Sequence, residues 1–104
     1  MTATVTKSDT YDAVVIGGGP NGLICGAYLA KAGARVLLIE RRHETGGGLN
    51  TDEYFGFRLN LHAIYHMMSD VMPAYADLSL PEYGLRYVYP HVACAFPFSD
   101  GKSL

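Results

Sequence analysis

One stretch constrains the fold more than any other: Ala13 to Gly48, AVVIGGGPNGLICGAYLAKAGARVLLIERRHETGGG. A short apolar run, Ala13 to Ile16, leads directly into Gly17-Gly18-Gly19-Pro20-Asn21-Gly22, with glycine at the three positions of G-x-G-x-x-G, Gly17, Gly19 and Gly22. Glycine at Gly17 lets the strand turn sharply, at Gly19 it lets backbone approach a pyrophosphate, and at Gly22 it lets the next helix lie close to its strand. The pattern predicts a helix from about Asn21 to Ala32, with its free N–H groups and positive dipole end facing the phosphates. Gly33 stands where a helix C-cap glycine belongs. A second strand, Arg35 to Ile39, is continuously apolar from Val36, as expected of a parallel strand covered on both faces. It delivers Glu40, 18 residues past Gly22, the separation at which a carboxylate accepts ribose hydroxyls and repels a 2′-phosphate. G-x-G-x-x-G alone also occurs as a glycine turn in unrelated loops. Here strand, glycines, helix, strand and acid agree on a nucleotide-binding βαβ unit.

Asp12-Ala13-Val14-Val15-Ile16-Gly17 with its glycines, Glu40 followed by Arg42, and the Gly46-Gly47 pair six residues after Glu40 together resemble a known family. The run from Asp12 to Gly47 is similar to the N-terminal FAD-binding segment of the flavin amine oxidase and phytoene desaturase superfamily. Within it, the likeness is to desaturase, carotenoid isomerase and retinol saturase-like oxidoreductases. The resemblance implies that FAD is the cofactor. It also implies that Gly17, Gly19, Pro20, Asn21, Gly22, Glu40, Arg41, Arg42, Gly46, Gly47 and Gly48 bind it, the Gly-Gly pair running beside the pyrophosphate towards the flavin ring. Plain NAD dehydrogenases usually lack that pair. The family often carries Arg just before it, whereas this chain has Glu44 and Thr45.

The chain has 104 residues, 49% of them hydrophobic, which suits one packed domain at most and excludes a disordered chain. A net charge of −2 and a pI near 6.0 give no basic footprint for nucleic acid. Nothing approaches the ~20 apolar residues of a membrane-spanning helix, and the polar start MTATVTKSDT does not read as a signal sequence. The expectation is a cytoplasmic protein with a flexible tail over residues 1–10. Cys25 and Cys94 form no C-x-x-C and read as thiols filling core space. Gly22 and Gly26, four apart on one helix face, read as the side that approaches the sheet.

Beyond Gly48 the pattern loosens. Leu49 to Phe57 is rich in turn-forming and aromatic residues. Gly56 to His62 resembles the family segment G-F-x-x-D-x-G, with Asn60 where an acid is frequent and His62 where glycine is. The resemblance makes Asn60 and His62 substrate-side candidates. His62 and His66 are four apart, a metal-ligand spacing on a helix, but no third ligand or Glu accompanies them. They are expected to line a pocket or bond in the core, with no metal. Ser69-Asp70 reads as the cap of a helix from Val71 to Ser79, with Pro73 in its first turn and Met72, Tyr75 and Leu78 on one face. Those apolar side chains suit either core packing or an apolar ligand. Leu80 to Tyr83 reads as a further turn stopped by Gly84. Leu85 to Tyr89 and Val92 to Phe98 are β-prone, and Ser99-Asp100-Gly101-Lys102 reads as a hairpin turn with positive φ at Asp100 and Gly101.

The expected fold is therefore α/β: a Rossmann-like βαβ unit over residues 11–52, a partial FAD-binding domain, followed by a partial substrate-side segment over residues 53–104 with a short helix and the start of a β-hairpin. Two buried parallel strands need neighbours on both edges, so the chain is expected to act with a complementary flavoprotein chain. The functional expectation is a small subunit or N-terminal portion of an FAD-dependent oxidoreductase acting on an apolar small molecule. The alternatives are a non-catalytic NAD or ADP module and a fragment without activity. No Ser-His-Asp or Cys-His nucleophile is present, and no catalytic residue is assigned.

Overall fold

The computed structural model describes residues 10–63, 65–66, 71–92 and 94–103. Strand β1 (Ala13–Ile16), helix α1 (Pro20–Lys31) and strand β2 (Val36–Ile39) form the expected βαβ unit, and the strands pair in parallel with Ala13 opposite Val36 and Ile16 opposite Ile39. The ladder continues at both ends. Asp12 N–H donates to the Arg35 carbonyl at 2.8 Å, Gly17 N–H to the Ile39 carbonyl at 2.8 Å, and the Asp12 carboxylate accepts from Arg35 N–H at 2.8 Å. Of the expected tail, residues 1–9 lie outside the described residues. Thr10 is tied down, its hydroxyl accepting from Arg35 Nη1 at 2.9 Å.

Helix α1 starts one residue earlier than the pattern indicates because Pro20, with its fixed φ and no N–H to satisfy, fits the first helical position. It ends in a Schellman arrangement. Gly33 adopts φ +96°, its N–H donates to the Ala30 carbonyl at 2.9 Å, and Ala34 N–H reaches the Leu29 carbonyl at 3.0 Å. One sheet face packs on this helix: a Cβ at Gly26 would lie 3.7 Å from Val36, 3.9 Å from Val15 and 4.0 Å from Leu38. On the other face Val14, Ile16 and Ile39 are 55%, 85% and 48% exposed. Among the described residues, then, the strands are covered on one face, not on both as expected. Cys25 and Cys94 are also exposed rather than filling core space; in α1, the glycine next to Cys25 takes the sheet-facing position.

Residues 49–57, read from sequence only as rich in turn-forming and aromatic residues, open a second sheet that runs to Asn60. Strand β3 (Thr51–Tyr54) pairs antiparallel with β4 (Phe57–Asn60), with Glu53 opposite Arg58. The two-residue connection Phe55-Gly56 has φ +51° and +81°, both positive, which matches the right-handed twist of the flanking strands.

Helix α2 (Pro73–Asp77) is shorter than the expected Val71 to Ser79. Pro73 occupies its first position as expected, but Met72 is the N-cap and no side chain caps it; Ser69-Asp70 lie outside the described residues. Leu80–Tyr83 forms a 3-10 turn ended by Gly84 at φ +91°, as the sequence indicates. Helix α2 is fastened to α1: Tyr28 O–H donates to Asp77 Oδ2 at 2.7 Å, and Lys31 Nζ donates to the Asp77 carbonyl.

The two β-prone runs do not form strands among the described residues; Ala93 lies outside them. What remains is a single antiparallel bridge, Pro97 to Ser103. β-Propensity expresses fit to a pleated neighbour, and among the described residues no neighbouring strand provides one. The turn itself differs too. Gly101 alone has positive φ, +80°, its N–H donates to the Phe98 carbonyl at 3.1 Å and Phe98 N–H to the Lys102 carbonyl at 2.8 Å, which makes a three-residue loop with a bulge.

Candidate dinucleotide-binding site

The three motif glycines do different work, and the space around each shows it. A Cβ at Gly22 would overlap the Gly17 carbonyl oxygen and press on Val15 at 3.3 Å, so the helix can lie this close to its strand only with glycine there. At Gly17, φ is +103° and a Cβ would meet no atom within 4 Å. A Cβ at Gly19 would likewise enter open space. The cradle in front of Gly17 and Gly19 is thus room left free of protein, as a pyrophosphate requires. The start of α1 adds donors: Gly19 is its N-cap, and no side chain caps it. The first-turn N–H groups of Asn21 and Gly22 are therefore left without a capping side chain, beside that open space.

Glu40 leaves the end of β2 and turns onto the glycine loop. Its Oε2 accepts from Gly18 N–H at 2.6 Å and its Oε1 from Arg42 N–H at 2.9 Å. These bonds, Arg42 first and Gly18 next, hold its carboxyl below the ordinary 4.5 against an opposing effect of partial burial, with Arg41 adding to the lowering. A carboxylate has about four acceptor sites, so two backbone donors leave capacity for ribose hydroxyls. Arg41 and Arg42 side chains are exposed. Arg42 shares an open depression of about 390 Å³ with His43, Glu44, Thr51, Asp52, Glu53 and Arg58. Sequence reasoning assigned Glu40 to the ligand and missed its bond to Gly18, which no spacing rule reports.

The Gly-Gly pair comes back to the first loop. Gly46 N–H donates to the Gly18 carbonyl at 2.7 Å, and a Cβ at Gly47 would lie 3.0 Å from Gly19 Cα and 3.7 Å from Pro20 Cδ. Gly46 and Gly47 have φ +118° and +57°, a left-handed turn that ordinary residues resist. Gly48 then joins the turn after β4: its carbonyl accepts from Ala63 N–H at 3.2 Å, and a Cβ on it would sit 3.8 Å from His62 Cβ. His62 is thereby brought to the second glycine turn. Asn60 is occupied locally, Nδ2 donating to the Ala63 carbonyl at 2.9 Å and Oδ1 accepting from His62 N–H at 3.4 Å. His66 Nε2 lies 2.9 Å from the same carbonyl and its ring packs edge-on to Tyr87, whose ring also meets Tyr75 and Tyr89. Among the described residues no three His, Cys, Asp or Glu side chains gather as a metal site.

Comparison with known proteins decides the family. The profile described as NAD(P)-binding Rossmann-like domain matches residues 15–78. The chain belongs to this family. A limonene dehydrogenase subunit of Castellaniella defragrans is 58% identical over 93 residues, covering 89% of this chain and 17% of that protein. Carotenoid 3,4-desaturase of Haloarcula japonica is 34% identical over 93 residues, 86% of this chain and 19% of the relative. The crystal structure of a CLA-producing fatty acid isomerase from P. acnes superposes with a TM-score of 0.64 at 27% identity, covering 97% of this chain and 23% of the isomerase. This Rossmann-like chain therefore spans less than a quarter of the length of each of these relatives. They fit the resemblance read from the sequence, an N-terminal segment of the flavin amine oxidase and phytoene desaturase superfamily, and a dinucleotide is the ligand class of the unit. Among the described residues no helix is long and apolar enough to cross a membrane.

Proposed function

We propose that this chain binds the ADP half of FAD and forms the N-terminal portion or small subunit of an FAD-dependent oxidoreductase acting on an apolar small molecule. The observation that carries the reading is the meeting of two glycine turns: Gly46-Gly47 lies on Gly18-Gly19, with Glu40 reaching Gly18, around space that no side chain fills. In this reading the α1 start and the Gly17 to Gly19 backbone hold the pyrophosphate, and Glu40 receives the ribose hydroxyls. Arg41 and Arg42 offset phosphate charge, and Gly46 to Gly48 guide the cofactor towards its ring end. Residues 53–104 open a substrate-side segment to which His62 belongs. Asn60 serves there by shaping the turn that presents His62. Bound flavin supplies hydride acceptance from carbon, or assists double-bond migration when reduced; the chain's own residues bind and orient it.

The relatives are named for limonene, a carotenoid and a fatty acid, which supports an apolar substrate. One of them is named as part of a multi-chain enzyme, and the exposed sheet face at Val14, Ile16 and Ile39 suits a further polypeptide packing there, whether a complementary chain or more of the same one. A cytoplasmic location belongs to the proposal and is read by fractionation. A non-catalytic module for NAD or ADP is the second reading, favoured by the description of the matching profile as NAD(P)-binding. Releasing the chromophore from the purified native complex separates them. FAD in stoichiometric amount supports the first; NAD, ADP or no nucleotide overturns it.

A further inference from the structure

We infer that Glu40 is also a positioning residue for the second glycine turn, acting through Gly18. The inference deepens the nucleotide reading of the same site, but it rests on contacts within the chain. Gly18 is buried and held from both sides. Its N–H donates to Glu40 Oε2 at 2.6 Å, and its carbonyl accepts from Gly46 N–H at 2.7 Å. A Cβ placed on it would lie 3.0 Å from Thr45 Cγ2 and 3.1 Å from Glu40 Cβ, so the residue sits in a slot between those two side chains. The other oxygen of Glu40 holds Arg42 N–H, which fixes the chain leaving β2 on its way to Thr45 and Gly46.

The second turn has little else to locate it from the first-loop side. Gly47 rests against Gly19, and behind it Asn50 covers Gly46 so closely that a Cβ there would overlap Asn50 Oδ1. Of the other bonds of this turn, Leu49 N–H to the Gly46 carbonyl at 3.0 Å and Asn50 N–H to the Gly47 carbonyl at 3.2 Å are internal to it, and Ala63 N–H to the Gly48 carbonyl at 3.2 Å ties it to the turn after β4. None of them fastens it to the first loop. Its anchor to the first loop is Gly18, and Gly18 is held by Glu40. A carboxylate suits the task because both oxygens accept, whereas an amide has one acceptor and would point N–H at N–H at the other. Glu40→Gln therefore removes one of the two bonds while keeping shape and volume.

Hydrogen exchange by NMR on the purified native protein, without nucleotide, tests this. In Glu40→Gln the Gly18 and Gly46 amides are expected to exchange roughly tenfold faster, while Val15 and Leu37 in the β1–β2 ladder keep their rates. Glu40→Asp, which keeps two acceptors on a shorter arm, is expected to fall between wild type and Glu40→Gln, and it carries the test should the glutamine variant not fold. Faster exchange at Gly18 with Gly46 unchanged overturns the coupling. Equal acceleration of Val15 and Leu37 overturns it as well, since that is general loss of stability. Because exchange is read without nucleotide, its result decides the inference whatever the wild type does with ADP. Failure of the wild-type protein to bind ADP counts against the proposed function alone.

Discussion

Residues 12–50 and residues 51–103 are of similarly apolar character, yet they are held together differently. In the first, contacts join positions far apart in sequence: Gly17 to Ile39, Gly18 to Glu40, Gly18 to Gly46, Gly47 to Gly19. In the second, most bonds are local, as in the β3–β4 hairpin, the Asn60 to Ala63 turn and the Phe98 to Lys102 loop. Large apolar side chains there stand in the open, with Phe55 100%, Tyr83 85% and Val88 88% exposed. The lesson is that glycine and one well-placed acid can organise a small unit by backbone approach alone, whereas aromatic content without a partner surface organises little.

Four substitutions break or sharpen that contrast. The largest effect is expected from Gly22→Val, which drives a branched side chain into the Gly17 carbonyl and Val15; a loss of about 3 kcal/mol or more in urea unfolding is expected, together with loss of nucleotide. A stable variant with wild-type nucleotide content would show that α1 can ride away from the strand at little cost. Next comes Glu40→Ala, expected to weaken nucleotide binding tenfold or more, measured by titration calorimetry with ADP. The pH dependence has a definite sign. The carboxyl is lowered from 4.5 in the folded chain, so its contribution is present in full above 4.5 and is lost as pH falls through the lower folded value. Nucleotide retention should stay level from neutral pH down to 4.5 and decline only below it.

Gly26→Ala is expected to do the opposite of Gly22→Val although it lies on the same helix face. The added methyl would stand 3.7 to 4.0 Å from its neighbours, ordinary contact, and the gain in helix propensity is about 1 kcal/mol, read as a higher urea midpoint. A lower midpoint would mean that close approach matters along the whole face. The smallest effect belongs to the fastening between the two regions. Tyr28 is held above its ordinary 10.0 chiefly by its hydrogen bond to Asp77, with desolvation and the Asp77 charge adding. That bond contributes below pH 10 and is lost as pH rises through the higher folded value. Asp77→Asn should return the Tyr28 ultraviolet titration towards 10.0 with little change in unfolding midpoint; an unchanged titration would remove Asp77 as the cause.

The glycine spacing, Glu40 at the end of its strand, Gly33 past the helix end and Gly84 after the 3-10 turn could all be read directly from residue order. Each is a local rule: a turn needs positive φ, a helix terminus needs its donors or acceptors met, and a strand end delivers its next residue to one edge of the sheet. Only the tertiary structure decided that the Gly46-Gly47 turn returns to Gly18 and Gly19, that Glu40 holds the loop backbone, and that Asn60 spends its amide on Ala63. Those outcomes depend on which distant backbone donor lies within 3 Å of an acceptor, a distance that spacing does not encode. The strands expected at residues 85–98 went the other way for the same reason. Val, Tyr and Phe favour a pleated surface when a neighbouring strand offers one, and the chain's own order of residues says nothing of whether that neighbour is there.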